Sequence, residues 1–116
     1  MILTNGMIDD LQPTIDALVE GSFLPLSVVI IGIGEFDFTK MIILDGDDIP
    51  ITSSKGVKRM RDLVQFVPFS RYENDPKKLA DEVLEEIPRQ FVDYYTMNHI
   101  FPENLQRGYS SKRNRY

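Results

Sequence analysis

Chemistry by this chain would rest on few side chains, because its 116 residues include a single histidine and no cysteine. His99 follows Asn98 at the end of a predicted helix, with no serine or carboxylate at a spacing that indicates a catalytic partner. A histidine in that position is favoured by the helix dipole alone. The lack of cysteine excludes disulfides, thiolate catalysis and cysteine-based zinc sites. We therefore predict that the chain is not an enzyme.

A glycine-containing loop raises a second chemistry, nucleotide binding. Gly32 and Gly34 follow an apolar segment, as do the phosphate-binding loops of dinucleotide-binding domains. Those loops need a third glycine, and Asp37 stands at that position. A small nucleotide- or flavin-binding α/β domain that uses this loop stays open as an alternative.

An acidic run at residues 45–48 invites a calcium interpretation. The EF-hand pattern would place glycine at position 50 and glutamate at position 56, where Pro50 and Gly56 stand. We interpret the run as a solvated acidic turn.

The elements that would position these side chains are strands and helices in alternation. Residues 24–34 form an almost unbroken apolar run, which is typical of a strand buried on both faces of a parallel sheet. Residues 1–4 and 63–69 supply two further strands. The fold class is α/β, a partial Rossmann-type three-layer sandwich of about three mainly parallel strands with flanking helices. We expect the 24–34 strand to need flanking polypeptide outside this chain, and the chain to be association-prone.

Two helical segments connect and follow these strands. The first is capped by Asp9 or Asp10, carries Pro13 in its first turn and ends at Gly21. The second begins at Asn74-Asp75-Pro76 and ends near Asn98, with Pro88 kinking or dividing it. Its predicted buried stripe consists of Leu79, Val83, Ile87, Phe91 and either Tyr94 or Tyr95.

The charge of the chain is unevenly distributed. All 18 acidic residues lie between Asp9 and Glu103, where only nine basic residues accompany them. An acidic body repels phosphate backbones, so we predict no nucleic-acid partner. Residues 103–116 read as a basic, flexible tail. With neither an apolar run long enough for a spanning helix nor a secretory signal, we expect a cytoplasmic location.

Several stretches together resemble the copines, whose C-terminal half is a von Willebrand factor A-like (vWA-like) domain. The matching stretches are residues 2–6, 24–34, 37–41, 44–47, 61–69 and 79–88. They include the uncommon string Asp-Leu-Val-Gln-Phe-Val-Pro-Phe at 62–69. The resemblance implies that residues 1–102 are the C-terminal portion of a copine vWA-like domain, without its first strands and without the two C2 domains that precede it.

The resemblance also implies a metal site that is incomplete here. A-type domains hold Mg²⁺ or another divalent cation with an Asp-x-Ser-x-Ser loop, a threonine and the aspartate of a Thr-Asp-Gly turn. Only the third segment is present, as Thr4-Asn5-Gly6, with Asn5 in place of the aspartate. Loss of that charge makes Asn5 a weak remnant of the site. We expect no cofactor in this chain, and Mg²⁺ or Ca²⁺ only in a complete parent domain.

The function implied is that of a non-catalytic protein-interaction module. The parent family performs calcium-dependent phospholipid binding and recruits target proteins to membranes, with calcium and lipid bound by the C2 domains. Target proteins would bind the vWA-like surface, which we place at the loops around residues 5–9, 35–37 and 69–72. The parent would be cytoplasmic with calcium-dependent plasma-membrane association. The copine-like domain of a ubiquitin ligase, without its RING, is a third alternative.

Overall fold

A computed structural model describes residues 1–103 and shows one parallel three-stranded sheet. Its strands are β1 (Ile2–Thr4), β2 (Val28–Gly32) and β3 (Val64–Pro68), in the order β1-β2-β3. Both strand pairs are parallel, with Ile30 opposite Ile2 on one side and opposite Phe66 on the other. The predicted α/β class is confirmed. The predicted tail falls almost wholly outside the described residues.

The central strand differs from its prediction in length and in surroundings. β2 covers five residues instead of the eleven of the apolar run, and its residues 29–32 are buried. The expectation that its flanking polypeptide lies outside the chain is wrong, because β1 and β3 pair with its two edges. The reason is topological: in a parallel sheet a crossover lets one strand take an earlier and a later strand as neighbours.

The two outer edges of the sheet are unlike each other. On β3 the Val64 N–H donates to Asp62 Oδ1 at 3.2 Å, the Asp45 carboxyl lies near the Phe66 N–H, and Pro68 has no N–H. Side-chain acceptors and proline therefore close this edge to a further strand. On β1 the side chains of Ile2 and Leu3 are exposed.

In the part of the chain that the structure describes, four α-helices flank the sheet, namely α1 (Leu11–Gly21), α2 (Thr39–Asp45), α3 (Pro76–Leu84) and α4 (Ile87–Met97). The predicted bounds of α1 are confirmed, and Asp10 holds the N-cap position, but its side chain makes no capping hydrogen bond. The predicted division near Pro88 is also confirmed, and it precedes the proline because Pro88 lies in the first turn of α4. Proline is favoured there, since the first helical N–H groups have no intrahelical acceptor.

The core lies between the sheet and the first two helices. Its buried residues are Ile15, Leu18, Val19, Ile30, Met41, Leu44, Ile51, Leu63 and Val64. The predicted buried stripe on the last helix is wrong at Phe91, which is 60% exposed. The break before Ile87 restarts the helix in a new phase, so that α4 buries the polar Gln90 instead.

Candidate functional site

The carboxyl ends of the three strands meet at one end of the sheet. The register places Thr4 opposite Gly32 and Gly32 opposite Pro68, so the loops that follow these residues start side by side. These are the loops predicted to hold a partner surface. They expose four apolar side chains, which we call the carboxyl-end surface: Met7, Ile33, Phe36 and Phe69.

The predicted metal-site remnant, Asn5, lies exposed at this same end. Its Oδ1 accepts the Met7 N–H at 3.1 Å, and Thr4 Oγ1 accepts the Gly6 N–H at 3.0 Å. Both polar side chains therefore stabilise the turn that leaves β1. A metal-binding role for Asn5 stays a prediction.

The ring of Phe38 covers the carboxyl ends of β1 and β2. A Cβ atom added to Gly32 would lie 2.7 Å from a Phe38 ring carbon, and one added to Gly6 would also lie 2.7 Å away. The ring also packs against Phe66, at 5.4 Å between centroids. The space beside Gly32 is thus filled by an aromatic ring, and α2 begins only at Thr39. This arrangement does not favour a phosphate-binding loop.

Gly32→Ala is expected to destabilise the fold by about 2 kcal/mol, because the new methyl group overlaps the Phe38 ring. Phe38→Leu in the same chain should recover part of that loss by clearing the space. Urea unfolding of the two single variants and the double variant measures the coupling. Strictly additive changes would contradict the proposed contact.

A cluster of carboxylates lies at the other end of β3. We define the carboxylate cluster as Asp45 at the end of α2, Asp47, Asp62 before β3, and Glu86 between α3 and α4. One oxygen each from Asp47, Asp62 and Glu86 lie within 4.8 Å of one another. Asp47 is exposed, and the other two are partly buried. The cluster thus joins three segments that are far apart in the sequence.

Two arginines hold parts of this cluster. Arg59 contacts Asp62 Oδ1 at 3.0 Å and also donates to the carbonyls of Asp45 and Gly46. Arg89 contacts Glu86 at 3.2 Å and Asp62 Oδ2 at 3.7 Å. Within residues 1–103, these two arginines thus contact the carboxyl groups of Asp62 and Glu86, and Arg59 also contacts the backbone of Asp45.

The cluster shifts the acidity of two of its members. Burial, reinforced by the negative charges of Asp47, Asp62 and Glu86, raises the pKa of Asp45 to about 7. Burial also raises the pKa of Glu86 to about 7, with Asp62 adding to the effect and Arg89 opposing it. In the absence of a cation, both carboxyls are largely protonated in mildly acidic solution.

Asp45→Asn should change the pH dependence of stability in a metal-free buffer. The folded chain keeps the Asp45 proton up to pH about 7, whereas an unfolded aspartate loses it near 3.8, so stability falls between those values as pH rises. The amide removes this contribution and should raise stability at pH 8 by about 1 kcal/mol, since partial exposure screens the effect. Thermal unfolding across that pH range measures it, with Asp48→Asn as the control. Parallel curves for wild type and Asp45→Asn would contradict the prediction.

Most of this cluster is not predictable from the sequence. Residues 45–48 are not simply the solvated turn that we predict, because the Asp45 Oδ1 atom is buried and Asp47 lies close to Asp62 and Glu86. No motif spacing signals the meeting, because the three residues come from separate segments. One signal in the sequence indicates a partly buried carboxylate here, namely the position of Asp62 directly before an apolar strand. His99, by contrast, is exposed beyond α4.

The parallel sheet with flanking helices defines an α/β arrangement consistent with a partial vWA-like fold. The profile of the Copine family matches residues 1–103. The chain therefore belongs to the copine family.

Three relatives from Dictyostelium discoideum show the extent of the similarity. Copine-E and Copine-D are each 48% identical to this chain over 103 and 102 residues, which is 88% of this chain. Copine-A is 53% identical over 94 residues, or 81% of this chain. The alignments cover 18%, 19% and 16% of these three relatives, respectively. The chain thus spans less than a fifth of the curated relatives it matches.

Proposed function

We propose that this chain is a non-catalytic protein-interaction module of a copine-like protein, and that it binds target proteins through the carboxyl-end surface. The observation that carries the proposal is the exposure of four apolar side chains at one end of the sheet, with Met7 78% exposed. Grouped exposed apolar side chains mark interaction sites. The carboxyl ends of parallel strands are also where α/β folds place ligands.

The charge around this surface indicates the kind of partner. The adjoining loops carry the acidic residues Asp9, Asp10, Glu35, Asp37 and Glu73. Two cations lie in or beside these loops, namely Lys40, which donates to the Ile8 carbonyl, and the exposed Arg71, so the acidic residues outnumber them. A negative rim around apolar side chains complements a target segment that carries both basic and apolar residues.

A peptide-library selection against the full chain tests this proposal. We expect the selected peptides to combine Lys or Arg with apolar residues. Met7→Ser with Phe36→Ser should weaken their binding about tenfold, as loss of central apolar contacts does. The control is Ile49→Ser, an equally exposed apolar residue outside the surface, at 79% exposure. Selection of acidic peptides, or equal weakening by the control, would overturn the proposal.

For a longer copine-like parent we propose calcium-dependent phospholipid binding and plasma-membrane association from the cytoplasm. Family membership supports this, and the C2 domains would carry it. Within the described residues, every helix is too short or too polar to span a bilayer. The chain alone should therefore fail to sediment with phospholipid vesicles when calcium is added. Calcium-dependent sedimentation of the chain would contradict the proposal that the C2 domains, and not this chain, bind calcium and phospholipid.

Two features of the described residues support the proposal that the chain is not catalytic. The single histidine of the chain is exposed, and Phe38 fills the space beside the glycine loop. A nucleotide-binding domain remains the alternative, and a thermal shift of several degrees with nucleotide or flavin would favour it. A ubiquitin-ligase parent is a further alternative, but ligase activity would need a RING that this cysteine-free sequence does not provide.

A further inference from the structure

We propose that Asn5 is a site of spontaneous deamidation, at which the side-chain amide converts to a carboxylate through attack by the Gly6 backbone nitrogen. The two residues lie in the turn that follows the end of β1 at Thr4. Water is the only co-reactant that the conversion needs. The proposal does not depend on the proposed interaction function.

The first support is the pair of residues itself. The nitrogen that attacks the side-chain amide of an asparagine belongs to the residue that follows it, so a side chain on that residue hinders the approach. Gly6 has no side chain. Asn5 is exposed, so that water can reach its amide and ammonia can leave. The sequence and the exposure of this turn therefore both favour the reaction.

The second support is a hydrogen bond that activates the carbon under attack. Asn5 Oδ1 accepts the Met7 N–H at 3.1 Å. When the Gly6 nitrogen adds to Asn5 Cγ, negative charge develops on Oδ1. A backbone N–H that already points at this oxygen stabilises the charge, as the donors of an oxyanion hole do. The Met7 N–H therefore lowers the barrier to the addition.

Another hydrogen bond in the same turn slows the reaction. The Gly6 N–H donates to Thr4 Oγ1 at 3.0 Å. The Gly6 nitrogen must lose this proton before it attacks, and a hydrogen bond that favours the protonated form makes the loss harder. The Thr4 hydroxyl thus limits the rate of deamidation in the folded chain.

The conversion passes through a cyclic imide. Hydroxide takes the Gly6 proton, the Gly6 nitrogen bonds to Asn5 Cγ, and the Cγ–Nδ2 bond breaks. Nδ2 takes a proton from water and leaves as ammonia. Water then opens the imide at either of its carbonyl groups, which gives aspartate or isoaspartate at position 5. Both products add a negative charge to the turn that follows β1.

Two other asparagines in residues 1–103 provide a comparison within the chain. Asn74 and Asn98 are also exposed, but an aspartate and a histidine follow them. The Asn98 Nδ2 also donates to the Tyr94 carbonyl at 2.8 Å, which holds its amide group. We expect Asn5 to convert faster than either of them.

Peptide mapping by mass spectrometry tests the site. The full chain is incubated in mildly alkaline buffer, both folded and unfolded in urea, and the conversion of each asparagine is followed with time. Asn5→Asp provides the reference for the aspartate product. Retention of the Asn5 amide in the folded chain, over the period in which the unfolded chain converts, would overturn the proposal. Faster conversion of Asn74 or Asn98 would overturn it as well.

The matched variants are Thr4→Val, which removes the hydroxyl at nearly constant size, and Thr4→Ser, which keeps it. We expect Thr4→Val to convert about three- to tenfold faster than wild type, because an ordinary hydrogen bond no longer holds the Gly6 N–H, and Thr4→Ser to stay within about twofold. Thermal unfolding of both variants checks that the fold is kept. Gly6 stays unchanged, because an added Cβ atom would lie 2.7 Å from a Phe38 ring carbon. Equal rates for the two variants would contradict the role of Thr4.

Discussion

Arg61→Met is expected to lower the free energy of unfolding by about 3 kcal/mol, since the carbonyls of Leu24, Leu26 and Asp62 lose the donor that Arg61 provides. Arg61 is 7% exposed. Its Nη2 donates to the carbonyls of Leu24 and Leu26, and its Nη1 donates to the Asp62 carbonyl at 2.9 Å. The guanidinium also lies over the ring of Tyr94, at 5.4 Å from its centroid. One side chain thus joins the segment before β2, the segment before β3 and α4.

The size of this effect decides whether the chain still folds. Small domains are stable by only about 5–15 kcal/mol, so the variant should be partly unfolded at moderate urea concentrations. Arg61→Lys keeps the charge but lacks the planar fork, and we expect it to recover only part of the loss. Arg71→Met, at an exposed arginine, is the control and should change stability by less than about 0.5 kcal/mol. A loss below about 1 kcal/mol for Arg61→Met would show that the carbonyls find other donors.

Leu63→Ala should cost about 3 kcal/mol, because it opens a cavity at the centre of the core. Leu63 is fully buried, and its Cδ1 packs close to Gly21 at the end of α1. Its carbonyl also accepts the Val28 N–H at 2.7 Å, so the side chain anchors the first bond between β2 and β3. Chemical unfolding monitored by circular dichroism measures the loss.

Leu84→Ala serves as the matched control for this substitution. Leu84 is the same residue type but is exposed on α3, so its truncation should cost less than about 0.5 kcal/mol. Similar losses for the two variants would mean that the core lies elsewhere than between α1 and the sheet. Together with Arg61→Met, the pair separates apolar packing from the Arg61 hydrogen bonds that join the segments before β2 and β3.

Much of the fold follows from local patterns in the sequence. The apolar stripe at Leu11, Ile15 and Leu18 predicts α1, since a period near 3.6 residues places these side chains on one face of a helix. The apolar run before Gly34 located β2 but overestimated its length. An apolar run shows that side chains are buried, but it does not show which of them have backbone partners in a sheet.

The sequence did not predict which residues of α4 are buried, because this depends on how α4 is rotated about its axis relative to α3. The stripe through Ile87 and Phe91 assumed one continuous helix. The break between α3 and α4 rotates the second helix, which buries Gln90 and exposes Phe91. The buried Gln90 donates to Asp62 Oδ2 at 3.4 Å, and it is not part of the predicted stripe.

The sequence by itself determined the order of strands and helices, the acidic body and membership of the copine family, because each depends on residue types in one stretch of chain. The tertiary structure alone decided that β1 and β3 enclose β2, that Phe38 covers Gly32, and that residues from three segments meet in the carboxylate cluster. These meetings depend on how crossovers and helix packing bring distant segments together. Local propensity and residue spacing therefore do not predict these contacts.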